Sequence, residues 1–336
     1  MRHLAPIIVL LGLTWEAAGD GLCRPCGRAA RWVRAEQRRP RYADLRWRLT
    51  PGQVFHQTTE AETRQKMKVF GMAVSQRQKQ RTVLRWQFKA WDDEGMAVFR
   101  CQIVDLHFEI DIGGKRLTSY LPEDKQPSPL ADMITALKND ELQVLVDHDG
   151  TVVGVKHTMT EFINWRNAQP QFEPLGKSIL GGLHEQARLV FSSTPNRIVR
   201  TDEPIQQDST SPLADTPSLS LRFRDRLAWR NNEKNLHHFA LEGASDYSGL
   251  VKAPGVKLIR PPPPGKRRGT VSFDAVRHRL SSLAITATFS GTIEIDIGGQ
   301  MTSVAIEQEQ TTRVRITDHR PARESTSAIP QSRPKQ

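Results

Sequence analysis

Cysteine is scarce in this chain. Cys23, Cys26 and Cys101 are the only three in 336 residues, an odd count that excludes a fully paired disulfide framework. Long apolar runs are missing as well. Mean hydropathy is −0.51, and no stretch of the mature chain supplies the roughly 20 apolar residues that a membrane-spanning helix needs.

The signatures of familiar active sites are also lacking. There is no GxSxG elbow and no GxGxxG loop. Gly176-Lys177-Ser178 resembles the end of a phosphate-binding loop, but the first glycine of that loop falls at Gln171. His184-Glu185 opens a zinc-protease signature whose second histidine falls at Arg188. Asp147-His148-Asp149-Gly150 begins like a calcium loop, yet Val152 and Thr158 stand where its glycine and bidentate acid belong, so it reads as a hairpin turn. His237 and His238 are adjacent, and in a strand they point to opposite faces. The sequence therefore predicts a non-enzyme, with no catalytic residue, no metal ligand set and no cofactor.

What is present begins with a leader. Arg2 and His3, the ten-residue run Leu4 to Leu13, and small Ala17, Ala18 and Gly19 have the anatomy of a secretory signal peptide over residues 1–19. Ten residues are too few for an uncleaved anchor. Export to the periplasm, envelope or extracellular space is the expectation.

The charge is lopsided. Formal net charge is +11, and nine arginines but no lysine lie between Arg24 and Arg48, against only Glu36 and Asp44. Residues 20–43 read as a basic arm. Arg28, Arg31, Arg34, Arg38, Arg39 and Arg41 are its candidate polyanion contacts, for acidic polymers or an anionic membrane surface. A merely solvated arm is the blander alternative. Nucleic acid is a poor partner for an exported chain. Cys23 and Cys26, in CRPC, read as a local disulfide or inert thiols rather than a redox couple, and Cys101 reads as a buried small hydrophobe.

From about residue 44 the pattern is that of strands. Val104, Leu106, Phe108, Ile110 and Ile112 alternate with Asp105, His107, Glu109 and Asp111, and Gly113-Gly114 supplies a tight turn into residues 115–120. The construction recurs with Leu283, Ile285, Ala287, Phe289, Ile293, Ile295 and Ile297 on one face, Glu294 and Asp296 on the other, and Gly298-Gly299 as the turn. The motif EIDIGG thus occurs twice, which predicts an internal repeat. Residues 54–69 read as a long polar strand with a bend or bulge, residues 80–91 as a strand with Leu84, Trp86, Phe88 and Ala90 on one face, and residues 301–317 as a return strand in contact with solvent.

The middle differs. Residues 129–138 and 161–169 read as helices around a hairpin at 142–155, and 174–191 as a longer helix that Gly181-Gly182 threatens to break. The predicted fold class is mainly β, of the α+β kind, with antiparallel sheets in two related halves and a helical insert between them. The boundaries are 44–125 for the first half, 126–192 for the insert, 193–217 for a linker, 218–317 for the second half and 318–336 for a disordered tail. Pro261 to Arg268 reads as a stiff basic loop.

Two features remain for function. Glu109 with Asp111, and Glu294 with Asp296, each put two carboxylates on one strand face about 7 Å apart, a candidate polar binding face for a cation or a basic partner. The bland alternative is a solvated strand face.

The EIDIGG hairpins, Asn139-Asp140-Glu141-Leu142 leading into VDHDGTVVGVKH, QPQFEPL from Gln169 to Leu175, and GTVSFDAVRHRL from Gly269 to Leu280 together resemble an uncharacterised family of exported bacterial proteins, a domain of unknown function. The resemblance spans about residues 45–317. It implies an envelope or secreted protein and brings no assigned activity, so no functional residue transfers. Residues 193–245 depart from its pattern in lacking a clear second strand set.

The resulting expectation is a non-enzymatic envelope or secreted protein that binds or scaffolds, carrying an apolar ligand between sheet and helices or engaging an envelope component. An unrecognised enzyme acting on envelope polymers, or polyanion binding through the arginine arm, are the alternatives.

Overall fold

The computed structural model describes residues 41–69, 71–120, 129–157, 160–168, 173–212, 219–249, 252–253, 256–260, 264–297 and 300–321. The signal segment, Cys23, Cys26, Arg28, Arg31, Arg34, Arg38, Arg39, Gly298-Gly299 and the tail beyond 321 lie outside these residues. The chain is 66% strand and 12% helix, with large antiparallel pairings.

Period-two alternation produces one sheet of fourteen strands. Its path runs β7 (Val152–His157), β6 (Leu142–Val146), β4 (Ala97–Ile112), β3 (Met72–Trp91), β2 (Val54–Val69), β16 (Gln300–Thr317), β15 (Arg279–Ile297), β14 (Gly265–Asp274), β11 (Leu236–Gly249), β10 (Leu219–Glu233) and β9 (Ile205–Pro212). β5 (Lys115–Tyr120) pairs with the far end of β4, and β13 (Val256–Arg260) with the far end of β15, with β12 (Lys252–Ala253) beside it. β1 (Tyr42–Asp44) and β8 (Ile198–Arg200) form a separate ribbon. The first long strand pairs with the last, from His56 opposite Thr317 to Lys68 opposite Ala305. That seam makes the two β segments one sheet.

Several expectations need correction. β2 runs unbroken in register against both neighbours, so the expected bend is absent. The irregularity sits next door, where a bulge at Val104 of β4 switches the buried side from Phe99, Cys101 and Ile103 to Leu106, Phe108 and Ile110. Val104 is therefore not on the face of Leu106. The expected linker contains β8 and β9, because its Ser, Thr and Asp residues pair as an edge strand against β10. Residues 219–249, where no second strand set was legible, form the long hairpin β10–β11. Gly265 to Arg268 is strand, not loop, and Arg267 is buried within it. The end of the basic arm is strand too, and Arg46 and Arg48 pair with Asp44.

The helices are α1 (Pro129–Asn139), α2 (Thr160–Ala168) and α3 (Glu173–Phe191), the last running through Gly181-Gly182 without a break. α3 carries Leu183, Ala187, Val190 and Phe191 on its buried side, the i, i+4, i+7 spacing of an amphipathic helix. Phe191 enters an aromatic group with Trp47, Trp86 and Phe99, its ring centroid 4.5 Å from that of Phe99 and 5.3 Å from that of Trp86. α1 packs Met133, Ile134 and Leu137 into the same core, and Lys138 lies 3.7 Å from the carboxylate of Asp105 at the β4 bulge. Asp140 accepts the main-chain N–H of Phe162 at 2.7 Å and ties α2 to α1.

The two edges of the sheet meet at α3. Ser192, directly after the helix, donates its hydroxyl to Gly150 O in the β6–β7 turn at 2.9 Å, while its carbonyl accepts from Gln207 of β9 at 3.5 Å. Arg188 reaches Ser209 of β9 at 3.1 Å. Ten strand spacings separate β7 from β9 along the path, about 48 Å in a flat sheet. Both edges converge on one residue, so the sheet is rolled into a wall with α3 along its seam. Glycines allow the tight approach: a Cβ on Gly269 would lie 2.0 Å from Ala284 O, and one on Gly243 2.1 Å from Asp225 Oδ1.

A buried amide belt as candidate binding interior

Along the central strands, charged residues alternate with uncharged polar ones. On β2 the exposed positions are Glu60, Arg64, Lys66 and Lys68, and the buried ones are Thr59, Thr63, Gln65 and Met67. β3 repeats this with exposed Arg77 and Lys79 against buried Gln76, Gln78 and Thr82, and β16 with exposed Glu307, Glu309, Arg313 and Arg315 against buried Gln308 and Thr312. Charge keeps one face in water and leaves amides and hydroxyls to the inside. The outer charges oppose one another across strands, Lys66 with Glu307, Arg64 with Glu309, and Glu62 with Lys79. Such a face belongs in water rather than in lipid.

Inside the wall, the register draws these side chains into transverse rows. One row reads Ile110, Gln78, Thr63, Gln310, Ala287, Arg267, Gly243, Asp225 and Gln207, and the row beyond it holds Ile112, Gln76, Gln65, Gln308 and Phe289. On the helix side of these rows lies the main core. On the far side a second apolar group, Met67, Ile293, Val304 and Ile306, is equally buried and outside that core. The belt is thus polar between two apolar zones.

Its amides are not all satisfied. Gln65 (2% exposed), Gln76 (5%) and Gln78 (6%) each have a side-chain oxygen that is buried without a hydrogen-bond partner. Gln186 Oε1 on α3 is a fourth. Gln65 donates to Gln308 Oε1 at 3.1 Å, and Thr63 to Gln310 Oε1 at 3.4 Å, so the belt is partly self-bonded. Gln57, fully buried on the same strand, is a useful contrast. It accepts from Trp86 Nε1 at 2.8 Å and donates to Thr59 Oγ1 at 2.9 Å and to Gln186 O at 3.3 Å. That is how a purely structural buried glutamine looks. An orphaned buried acceptor costs about 1–3 kcal/mol, and three in neighbouring positions mark a place where something else is meant to bond.

Beside the belt lies a charged cluster. Arg267 donates to Asp225 Oδ2 at 2.9 Å, Arg188 forms an ion pair with Glu185, and both guanidinium groups lie on the Phe223 ring, 4.0 Å (Arg188) and 4.4 Å (Arg267) from its centroid. Burial pushes the Asp225 carboxyl up, against the pull of Arg267 and Arg188. The charges compensate one another and anchor α3 to β10 and β14.

The residues singled out in the sequence lie elsewhere. Glu109, Asp111, Glu294 and Asp296 occupy the outward side of β4 and β15, partly exposed. Four strand spacings, about 19 Å, separate the two pairs. Glu109 stands opposite Lys79, Asp111 opposite Arg77, Glu294 opposite Arg260 and Asp296 opposite Lys257. They form no joint site. Arg41 is exposed beside the β1–β8 ribbon. Cys101 is buried as expected, and burial pushes its thiol far up. Among the described residues there is no cluster of metal-ligating side chains, and no helix is long and apolar enough to cross a membrane.

The belt itself was missed because glutamine and threonine in a strand read as solvent contact. The signal that finds it is the alternation of charged with uncharged polar residues. Alternation between two kinds of polar residue has the same period as alternation of polar with apolar, and the same meaning.

Three histidines make the fold acid-sensitive. Burial lowers His56, His184 and His237 below the ordinary histidine value of 6.5. The unfolded chain then takes up protons that the folded chain refuses, so stability is full above about pH 6.5 and falls as pH drops below it. Urea denaturation at pH 7.5 and pH 5.5 is expected to show a lower midpoint in acid. Replacing His56 and His237 with glutamine is expected to shrink the difference, and an unchanged difference would rule these groups out as its source.

No protein-family model matches this chain, and no curated protein matches it. Among solved structures, the chain is similar to one described as lipid-protein interactions in lipovitellin, with a TM-score of 0.46 and 10% identity over 83% of this chain. It spans only 27% of that longer chain. OccK7 of Pseudomonas aeruginosa aligns over 79% of this chain and 99% of its own at a TM-score of 0.20 and 7% identity. A DUF1329 family protein of Desulfovibrio piger aligns over 76% of this chain and 84% of its own at a TM-score of 0.13 and 9% identity. At these scores none of them assigns this chain a fold family or a function.

Proposed function

We propose that this is an exported, non-enzymatic binding protein whose rolled sheet holds an apolar ligand in its interior, beyond the part that α3 fills. The observation that carries the reading is the row of buried, unpartnered glutamine oxygens between two apolar zones of one enclosed face. Eight strands enclose an interior that side chains just fill, whereas this wall runs to eleven along its path. α3 fills one end with Phe191 and its aromatic neighbours, so the ligand belongs at the belt rather than under the helix. The leader-like residues 1–19 and the family resemblance support export. Titration of the purified chain with the apolar fluorophore N-phenyl-1-naphthylamine tests the reading. Saturable binding at one site per chain, with enhanced and blue-shifted emission, is the expected result. Emission no different from that with an unrelated soluble protein would refute it.

A further inference from the structure

Deepening that reading, and resting on it, we propose that the belt selects uncharged amphiphiles whose polar group donates hydrogen bonds, a hydroxyl or an amide N–H, over carboxylates and over molecules without a donor. The unmatched atoms define the complement. Gln65 Oε1, Gln76 Oε1 and Gln78 Oε1 are acceptors, each on a side chain more than nine-tenths buried, in two adjacent rows of β2 and β3. A donor placed among them satisfies groups that otherwise stay orphaned, and a buried polar site built for a donor rejects the analogue that lacks one.

Charge is excluded by the same neighbourhood. The cations on the belt's rows or beside them are Arg267, held by Asp225, and Arg188, held by Glu185. A carboxylate or phosphate carried into this interior would lose its hydration with no cation released to receive it. The flanking groups, Phe108, Ile110 and Phe289 beside the belt and Met67, Ile293, Val304 and Ile306 beyond it, suit an alkyl or other apolar body. Length along the strand is available for it: from Gln78 to Gln76 to Val74, each inward step adds about 6.7 Å.

The test uses three probes of equal chain length against the bound fluorophore: dodecan-1-ol, dodecyl methyl ether and dodecanoate. The alcohol is expected to displace it at a concentration about tenfold lower than the ether, the worth of one well-formed hydrogen bond, with dodecanoate weakest at neutral pH. The near-isosteric Gln76→Met and Gln78→Met variants are expected to remove the alcohol's advantage and leave the ether unchanged. Because each variant removes an orphaned acceptor, each is expected to melt at or above the parent temperature, which separates loss of recognition from loss of fold. If the ether competes as well as the alcohol, or if dodecanoate competes best, donor recognition is wrong while the binding reading stands. If the fluorophore itself does not bind, the reading beneath it has failed.

Discussion

A Gly269→Ala chain is expected to lose at least about 3 kcal/mol of stability, or to fail to fold at ordinary expression temperature. The added methyl would lie 2.0 Å from Ala284 O and 3.0 Å from Ile285 Cα, both main-chain atoms of β15. Neither can move without shifting the strand. The site lies where β14 meets β15, in the rolled part of the wall, so relieving the clash means opening the roll. Gly182→Ala is the matched control. That glycine sits in α3 with nothing within 4 Å of its ideal Cβ, and alanine there is expected to stabilise by about 0.5–1 kcal/mol through helix propensity. Thermal melts of the two variants beside the parent decide the matter. Equal, small effects would mean that the roll is not held by close backbone contact.

Phe191→Ala is expected to cost about 3–5 kcal/mol, the range for truncating a fully buried phenylalanine. The ring packs against Trp47, Phe55, Trp86 and Phe99 at once. Its position adds a second effect. Phe191 immediately precedes Ser192, to which both sheet edges bond. Loss of the ring should therefore loosen the seam before the sheet, and limited proteolysis should cut first between residues 192 and 205. Denaturant unfolding gives the magnitude, and the order of cleavage gives the location. A loss below about 1 kcal/mol, or first cleavage in the outer strands, would contradict the role assigned to the seam.

The parts legible in the sequence were those governed by local periodicity. Alternation located β4 and β15, and Gly113-Gly114 takes the positive φ values its turn requires, 59° and 79°. The helices fell within a residue or so of their observed ends, because apolar spacing and the flanking prolines act locally. Pairing was not legible. Nothing in residues 54–69 or 300–317 announces that the first and last long strands lie side by side, and that contact turns two β segments into one wall. The edge strand β9 was lost for a related reason: its Ser, Thr and Asp residues look like a linker until β10 supplies a partner. The outward carboxylates stood out because charge is conspicuous in a sequence. The inward amides did not, since a glutamine declares its burial only through its neighbours at every second position.

The account's central claim is that the interior is built around a guest. Native mass spectrometry of the chain, expressed with its leader and recovered from the exported fraction without detergent, tests it most directly. The account predicts a species heavier than the mature polypeptide, whose excess mass is lost on denaturation and recovered in solvent extracts as an uncharged, donor-bearing amphiphile. A mass equal to that of the bare polypeptide, unchanged after incubation with dodecan-1-ol, would contradict it.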